Sequence, residues 1–291
     1  MSSITRVALI GLGEVGQIVA EDLGRAGVTG ISAWDIRFAD PDSNPSRAAR
    51  ALSVRGGTSG ADAVRGAELI VSAVTAASDV EAARSTVGGI ERGAFFLDLN
   101  SASPGMKQQS AEIVEAAGGR YVEAAVMTPY PPKRIASYML LGGPHGDAFM
   151  EAVEGLGFAG KPFSGTVGQA SATKMCRSVM IKGIEALVTE SMLAARHYGV
   201  EDTVLASLSD LLPIPSWPNL AEYMISRTLE HGVRRAEEMR EAARTVAEAG
   251  VEPLMASATA VRQDWAATHK SALAAQGLHA MLDAIAADKK S

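Results

Sequence analysis

Cysteine is nearly missing from this chain: Cys176 is the single one in 291 residues. One thiol excludes an intrachain disulfide and suits a reducing compartment, so a cytoplasmic location is expected. Cys176 itself reads as a small buried hydrophobe on a helix rather than a reactive thiol. Histidine is also sparse. The five are scattered without ligand spacing, so no metal site is expected. Basic residues do not exceed acidic ones, and a net charge of -6 gives no electrostatic reason to expect nucleic acid or an anionic membrane as partner. No apolar run is long enough to span a bilayer, and no basic flank with an apolar core precedes the first strand, so neither a membrane span nor a signal peptide is expected. The remainder, 47% hydrophobic and 21% charged, is ordinary for a globular protein with room for two domains.

The most informative stretch is Arg6-Val-Ala-Leu-Ile-Gly-Leu-Gly-Glu-Val-Gly16. Val7 to Ile10 is a short apolar run of the kind expected for a strand buried on both faces. Val15, Ile18, Val19 and Leu23 then recur at helical spacing until Gly27 supplies a stop. Strand, glycine turn and helix in this order form a dinucleotide site: Gly11 permits the tight turn, Gly13 the close approach of a pyrophosphate, and Gly16 the packing of helix on strand. Leu12, Glu14 and Val15 lie within the same turn, whose helix N-terminus offers unpaired N–H groups and partial positive charge. A second run, Gly30-Ile-Ser-Ala-Trp-Asp35, ends in a carboxylate where the motif expects a group for the ribose hydroxyls. Asp35 favours NAD over NADP, because it accepts from a 2′-hydroxyl and repels a 2′-phosphate. Arg37 pulls the other way if it reaches a phosphate; a solvated loop arginine is the competing reading.

Further apolar runs follow at Leu69–Val74, Phe95–Leu99, Tyr121–Ala125 and Ser137–Leu141. Ser78 with Glu81 fits a capping box opening a helix through Thr86. Ser103 reads as the N-cap, and Pro104 as the first residue, of a helix through about Ala117. Strands alternating with helices at short loop lengths predict an α/β, doubly wound, Rossmann-type parallel sheet, with ligands beyond the carboxyl ends of its strands. Val74 and Thr75 after one strand and Ser101 after the next should therefore share the cofactor rim with the glycine turn. The polar loop Phe38–Pro45 should lie near the adenosine end. The stiff loop Val126–Arg134 should reach the rim too, with Lys133 and Arg134 either holding an anionic group or lying in a solvated turn.

Alternation stops near Gly165, giving a dinucleotide-binding domain over 1–164 and an all-helical domain over 165–291. One apolar stripe is expected at Ile184, Leu187, Val188 and Ala195, another at Ala236, Met239, Ala243, Val246 and Ala247. Leu211-Leu-Pro-Ile-Pro-Ser-Trp-Pro218 is expected to be a loop.

At the join stands Gly165-Thr-Val-Gly-Gln-Ala-Ser-Ala-Thr-Lys174. The GLGEVG turn together with this glycine-led lysine helix resembles the β-hydroxyacid dehydrogenases, the group that includes 6-phosphogluconate and 3-hydroxyisobutyrate dehydrogenases. Their helices carry Gly-x-Gly-x-x-x-Lys, and here Gly168, Ala170 and Lys174 take those places. The resemblance spans nearly the whole chain. Lys182-Gly183 and His231-Gly-Val-Arg-Arg-Ala-Glu-Glu-Met239 are similar to a bacterial, phosphogluconate-dehydrogenase-like branch whose helical domain has no assigned function.

The resemblance implies that Lys174 is the general acid/base. Chemistry agrees, since oxidation of a secondary alcohol leaves a proton that a base must take, and a desolvated lysine near a cationic ring has its pKa lowered toward the working range. A structural lysine is the alternative role, and Lys182, two turns on, the competing candidate. Two departures concern substrate. Where relatives hold a carboxylate with Ser-Gly-Gly, this chain has Met127-Thr128-Pro129, with Thr128 keeping a hydroxyl. The asparagine one turn after the lysine is replaced by Ser178, with Arg177 beside it. The later family lysine has Arg234 or Arg235 at a comparable place, and a solvated helix face is the better reading for at least one of them.

The expectation is an NAD(P)-dependent oxidoreductase interconverting a hydroxyl and a carbonyl on a small, anionic, β-hydroxyacid-like substrate. Imine reduction is a second reading, against which the lysine argues. A non-catalytic NAD(P)-binding sensor is a third. Too few helices follow Gly165 to enclose a core of their own at full burial, and the resemblance implies dimerisation by interleaving them, so a homodimer is expected.

Overall fold

Val7 to Ile10 lie in strand β1 (Arg6–Ile10), and all four are fully buried. A computed structural model describes residues 4–209 and 212–288. In it β1 joins β2 (Gly30–Trp34), β3 (Arg55–Gly56), β4 (Leu69–Ser72), β5 (Phe95–Asp98), β6 (Arg120–Val126), β7 (Met139–Gly142) and β8 (Gly160–Ser164). These eight strands form one sheet in the order β3-β2-β1-β4-β5-β6-β7-β8. Alternate residues serve opposite faces. Val7, Leu9, Leu69, Val71, Phe95 and Leu97 build one apolar layer, while Ala8, Ile10, Ile70 and Phe96 build the other. Burial on both faces is why these strands read as unbroken apolar runs, each large side chain contributing about 1.5–3 kcal/mol.

The sheet departs from the sequence reading at one side. The pairing of β6 with β7 is antiparallel. Their connection contains only the short turns α6 (Tyr130–Lys133) and Arg134–Ala136 once the earlier helices α1 (Glu14–Arg25), α2 (Asn44–Ala51), α3 (Gly60–Val64), α4 (Asp79–Ser85) and α5 (Pro104–Ala116) are counted. A parallel return needs a longer crossover. Strands β3 and β8 left no sequence signal: β3 is two exposed residues, and β8 is a half-exposed edge carrying Pro162.

Among the helices, α1 stops where Gly27 adopts φ 92°, as its sequence suggests. Ser103 caps α5, accepting from Met106 N at 3.4 Å. The capping box at Ser78 does not form. Residues 76–78 wind a tight turn, Ser78 sits at φ -98°, ψ 2° rather than extended, and its hydroxyl lies 3.1 Å from Thr75 Oγ1 instead. The loop expected over Phe38–Pro45 is shortened at both ends, by a turn at Ile36–Ala39 and by α2, which Ser43 caps.

Beyond α7 (Gly146–Ala152), the chain enters α8 (Gln169–Tyr198), followed by α9 (Glu201–Leu208), α10 (Trp217–Glu248), α11 (Leu254–Ala267) and α12 (Leu278–Asp288). Two compact units result, Met1–Lys174 and Met175–Ser291. The first turns of α8 belong with the sheet because Glu123 of β6 accepts from Gly168 N at 2.7 Å and Ser171 N at 2.6 Å.

In the helical unit, Met192, Leu205, Trp217, Ile225, Leu229, Leu282 and Ile285 pack together. The stripe expected on α8 is displaced. Ala195 is buried, but Ile184 and Leu187 are 36% and 57% exposed, and the buried face carries Met175, Ser178, Lys182, Glu185, Ala186, Thr189 and Met192. Polar residues paired across helices occupy that face, so hydrophobicity alone selects the wrong one. On α10, Ala236 and Met239 are buried with Ala242, while Ala247 is exposed. Cys176 is exposed, because it lies one residue past the buried Met175 and turns away from the packed face. Trp217 and Pro218 open α10 with Ser216 as N-cap rather than extending a loop; Leu211 lies outside the described residues.

Candidate active site

The three glycines of the turn are required for different reasons. Gly11 has φ 91°, and a β-carbon there would come within 2.5 Å of Ala73 O and 2.9 Å of Val74 Cγ1. At Gly16 it would come within 2.2 Å of Gly11 O. At Gly13 it would meet no heavy atom within 4 Å. Gly11 and Gly16 thus shape the turn, while Gly13 leaves room in front of it. Gly13 is also the N-cap of α1 and supplies no side-chain acceptor, so the cap leaves the first N–H groups of α1, beside Glu14 and Val15, without a side-chain partner of its own.

Asp35 follows β2 directly, where its carboxylate is tied to this turn. Oδ2 accepts from Leu12 N at 2.9 Å, and Oδ1 accepts from Arg37 N at 3.0 Å, with Arg37 Nε 3.8 Å away. The carboxylate is 10% exposed and the Arg37 side chain 57%. Each carboxylate oxygen keeps accepting capacity beyond these bonds. The open front of Gly13, the uncapped helix start and a carboxylate at the end of β2 fit a dinucleotide: Gly11 to Gly16 would hold its phosphates and Asp35 a ribose.

On the rim, Val74 is half-buried and donates its N–H to Asn100 Oδ1 at 2.7 Å, while Thr75 is exposed. Ser101 Oγ accepts from Lys174 Nζ at 2.6 Å. The amine expected to carry the proton is therefore held against the loop that follows β5. Thr128 is half-buried, and its Oγ1 is a buried oxygen without a hydrogen-bond partner.

Under this rim lies a charged network that the sequence reading missed. Lys107, 1% exposed, places Nζ 2.6 Å from Asp98 Oδ1 and 3.9 Å from Asp79 Oδ1. Tyr121 OH donates to Asp98 Oδ2 at 2.6 Å and Ser110 Oγ to Asp79 Oδ2 at 3.0 Å. Burial opposes the Lys107 charge, but Asp98 and Asp79 outweigh it and hold its pKa above the ordinary value. Burial and then the Asp98 charge push Asp79 up to about 7. Burial together with the same carboxylates raises Tyr121 well above a free phenol. The signal available in sequence was Asp98, a carboxylate ending the apolar run Phe95-Phe-Leu.

Other candidates land elsewhere. Arg134 pairs with α1, donating to Asp22 Oδ1 at 2.8 Å and Glu21 Oε2 at 2.7 Å, so it is committed to packing rather than to an anionic ligand. Lys133 is exposed. In the helical unit Ser178 is buried and accepts from Lys182 Nζ at 3.1 Å, and Lys182 pairs with Glu238 at 2.7 Å. Burial lowers the Lys182 pKa, with Glu238 opposing. Arg234 pairs with the same Glu238 on a largely exposed face, whereas Arg235 is buried against Glu185. Among the described residues no group of His, Cys, Asp and Glu could hold a metal ion, and no helix is long and apolar enough to cross a membrane.

Fold and glycine turn define a dinucleotide-binding class of protein. A family model for the NAD binding domain of 6-phosphogluconate dehydrogenase matches residues 6–148, and one for a domain of unknown function matches residues 195–266. The chain belongs to the β-hydroxyacid dehydrogenase superfamily. A conserved hypothetical protein from Sinorhizobium meliloti 1021 is 33% identical, with 98% of this chain and 97% of that one covered at a TM-score of 0.78. The 3-hydroxyisobutyrate dehydrogenase of Mycobacterium tuberculosis shares the fold at a TM-score of 0.72, covering 96% of this chain and 98% of that one at 18% identity. Human mitochondrial 3-hydroxyisobutyrate dehydrogenase is 24% identical over 223 residues, which is 75% of this chain and 65% of that protein; the chain spans less than two thirds of that relative.

Proposed function

We propose that this protein is an NAD(P)-dependent oxidoreductase that interconverts a hydroxyl and a carbonyl on a small, anionic, β-hydroxyacid-like substrate, with Lys174 as general acid/base. The observation carrying the proposal is the 2.6 Å hydrogen bond from Lys174 Nζ to Ser101 Oγ, which orients the amine at the carboxyl ends of the strands. A bound nicotinamide supplies hydride acceptance or donation. In oxidation Lys174, neutral at that moment, takes the proton leaving the substrate hydroxyl. In reduction it returns a proton to the carbonyl oxygen. Ser101 restrains the amine, so less rotamer entropy is lost when substrate arrives.

Lys182 is the competing candidate; it lies in the helical unit, where Glu238 and Ser178 hold its ammonium. Thr128, with its unpartnered hydroxyl oxygen, is the group proposed to orient substrate; Ser178, one turn after Lys174, is the weaker candidate, being buried and already accepting from Lys182. NAD is favoured over NADP because Asp35 presents a nearly buried carboxylate where a 2′-phosphate would fall, and Arg37 is turned to that same carboxylate. A homodimer through the helical segment is supported by the exposed Met180, Ile181, Ile184 and Leu187 on α8. Sedimentation at micromolar concentration tests it, a monomer refuting it. The single thiol supports a cytoplasmic setting.

The decisive experiment is a turnover screen of hydroxyacids, and of imines, with both nicotinamides, on wild type and Lys174→Ala. Lys174→Ala should abolish turnover and leave cofactor binding intact. Unchanged turnover removes the mechanism; turnover on imines alone favours C=N reduction; binding without any turnover favours a sensor.

A further inference from the structure

Asn100 makes more hydrogen bonds than any role as a strand-end residue requires. It is 4% exposed. Its N–H donates to Asp98 Oδ1 at 2.9 Å, and its Nδ2 donates to Ser72 Oγ at 2.9 Å and to Asp79 Oδ1 at 2.6 Å. Its Oδ1 accepts from Val74 N at 2.7 Å. One side chain thus joins the ends of β4 and β5. The segment it holds is the one against which the glycine turn is packed, since Ala73 O and Val74 Cγ1 are the atoms that leave no space for a β-carbon at Gly11. The residue after Asn100 is Ser101, which receives the Lys174 amine.

We infer that Asn100 is a positioning residue that fixes the Val74–Thr75 segment of the cofactor site, and that the buried Asp79 carboxylate keeps Asn100 in the one amide orientation able to do so. This rests on the reading above that Val74 and Thr75 border the cofactor. The orientation follows from donor and acceptor matching. Turned over, the amide would set its NH2 against the Val74 N–H and its oxygen against the Asp79 oxygen, so both contacts would become repulsive. An ionised Asp79 therefore forbids the turn. A protonated Asp79 can donate to the amide oxygen, which removes half of that barrier.

The groups facing Asp79 are Asp98 from β5, Lys107 and Ser110 from α5, and Tyr121 from β6, with Glu123 of β6 acting on Lys107 and Tyr121. Two carboxylates share one ammonium, and burial with the Asp98 charge brings Asp79 to about 7. The hold on Val74 consequently strengthens as pH rises through neutrality.

The test is titration of the full-length protein with NADH and NADPH, followed by nicotinamide fluorescence from pH 6 to 8.5, with circular dichroism recorded for each variant. Wild type should bind several-fold more tightly at pH 8 than at pH 6. Asn100→Asp, which faces Asp79 with an oxygen, should bind at least ten-fold more weakly at pH 8. Asp79→Asn keeps the shape, relieves the buried like-charge pair, and should show weaker binding that no longer varies with pH; it carries the test if Asn100→Asp does not fold. A purely structural Asn100 would lower the melting temperature without altering the pH profile of binding. Wild-type affinity in both variants, or a wild-type pH profile in Asp79→Asn, overturns the inference alone. Wild-type protein that binds neither cofactor overturns the inference together with the functional reading.

Discussion

Replacing Lys107 by methionine isolates the cost of the charge network under the rim. Methionine matches the length and most of the volume of the lysine stem, so packing is kept and the ammonium is lost. In the wild type that ammonium is 2.6 Å from Asp98 Oδ1, 3.9 Å from Asp79 Oδ1 and 3.4 Å from the Asp98 carbonyl oxygen, all out of water. Its removal leaves two buried carboxylates without a counter-charge, a change that costs about 3–5 kcal/mol. For a unit of this size each kcal/mol lowers the melting temperature by about 2–4 °C, so a fall of about 6–20 °C is expected at pH 8. The pH dependence fixes the cause. Asp79 has a folded pKa of about 7, above the ordinary 3.8, so the folded state binds the extra proton between those values. Stability from this group is complete below the lower value and is lost as pH rises through the upper one. Without Lys107 the Asp79 pKa rises further, because the ammonium that lowers it is gone, so the window extends upward and the deficit of the variant must shrink on acidification. Urea unfolding at pH 8 and pH 5.5 measures both. A deficit below about 1 kcal/mol at pH 8, or one that grows toward pH 5.5, refutes the argument that the ammonium compensates two buried charges.

Three further substitutions separate shape from ligand contact. Gly11→Ala forces a side chain into φ 91° and against Ala73 O, so a loss of about 3 kcal/mol and of NADH binding is expected by thermal melting and fluorescence titration. Gly13→Ala meets no atom within 4 Å and should melt within about 0.5 kcal/mol of wild type while still weakening NADH binding. Equal stability losses at the two positions contradict the division of roles. Asp35→Ala should weaken NADH binding about ten-fold and shift the ratio of NADPH to NADH affinity toward NADPH; an unchanged ratio removes Asp35 from cofactor choice.

The parts of the fold that could be read in the sequence are those whose physics is local. Val7 to Ile10, Gly11, Gly13 and Gly16 announce a buried strand and a turn whose backbone conformation few residues tolerate, and the geometry at Gly11 and Gly16 bears this out. Asp35 was visible for the same reason, being fixed by its distance from the turn. Long-range pairing was not visible. Lys107 and Asp79 stand on different helices and look like ordinary surface charges until the sheet brings them to Asp98. The α8 face went wrong on the same account: Lys182 and Glu185 are buried because Glu238 and Arg235 meet them from α10, and a hydrophobicity pattern assigns such residues to water. Arg134 was a plausible ligand for an anion until Glu21 and Asp22 were found to occupy it.

Three helix starts, those of α1, α5 and α8, show how one sheet assigns separate tasks to the same backbone feature. Each helix N-terminus carries unpaired N–H groups and a partial positive charge that attracts an anion. At α5 the hydroxyl of Ser103 meets the Met106 N–H, and Ser103 is fully buried. At α8 the buried carboxylate of Glu123 takes both Gly168 N and Ser171 N, and Gly142 is the residue that leaves space for it, since a β-carbon there would come within 2.3 Å of Glu123 Oε2. The lysine helix therefore begins with its anion already supplied by the protein. Lys174 follows in the second turn of the same helix and gives its amine to Ser101 Oγ at 2.6 Å, close to a helix start whose positive end would otherwise disfavour an ammonium. At α1 the cap is Gly13, which brings no side-chain acceptor and no β-carbon. That start is the one of the three to which the protein brings no side-chain acceptor at the cap, which is why the proposed phosphate site falls there and not at α5 or α8.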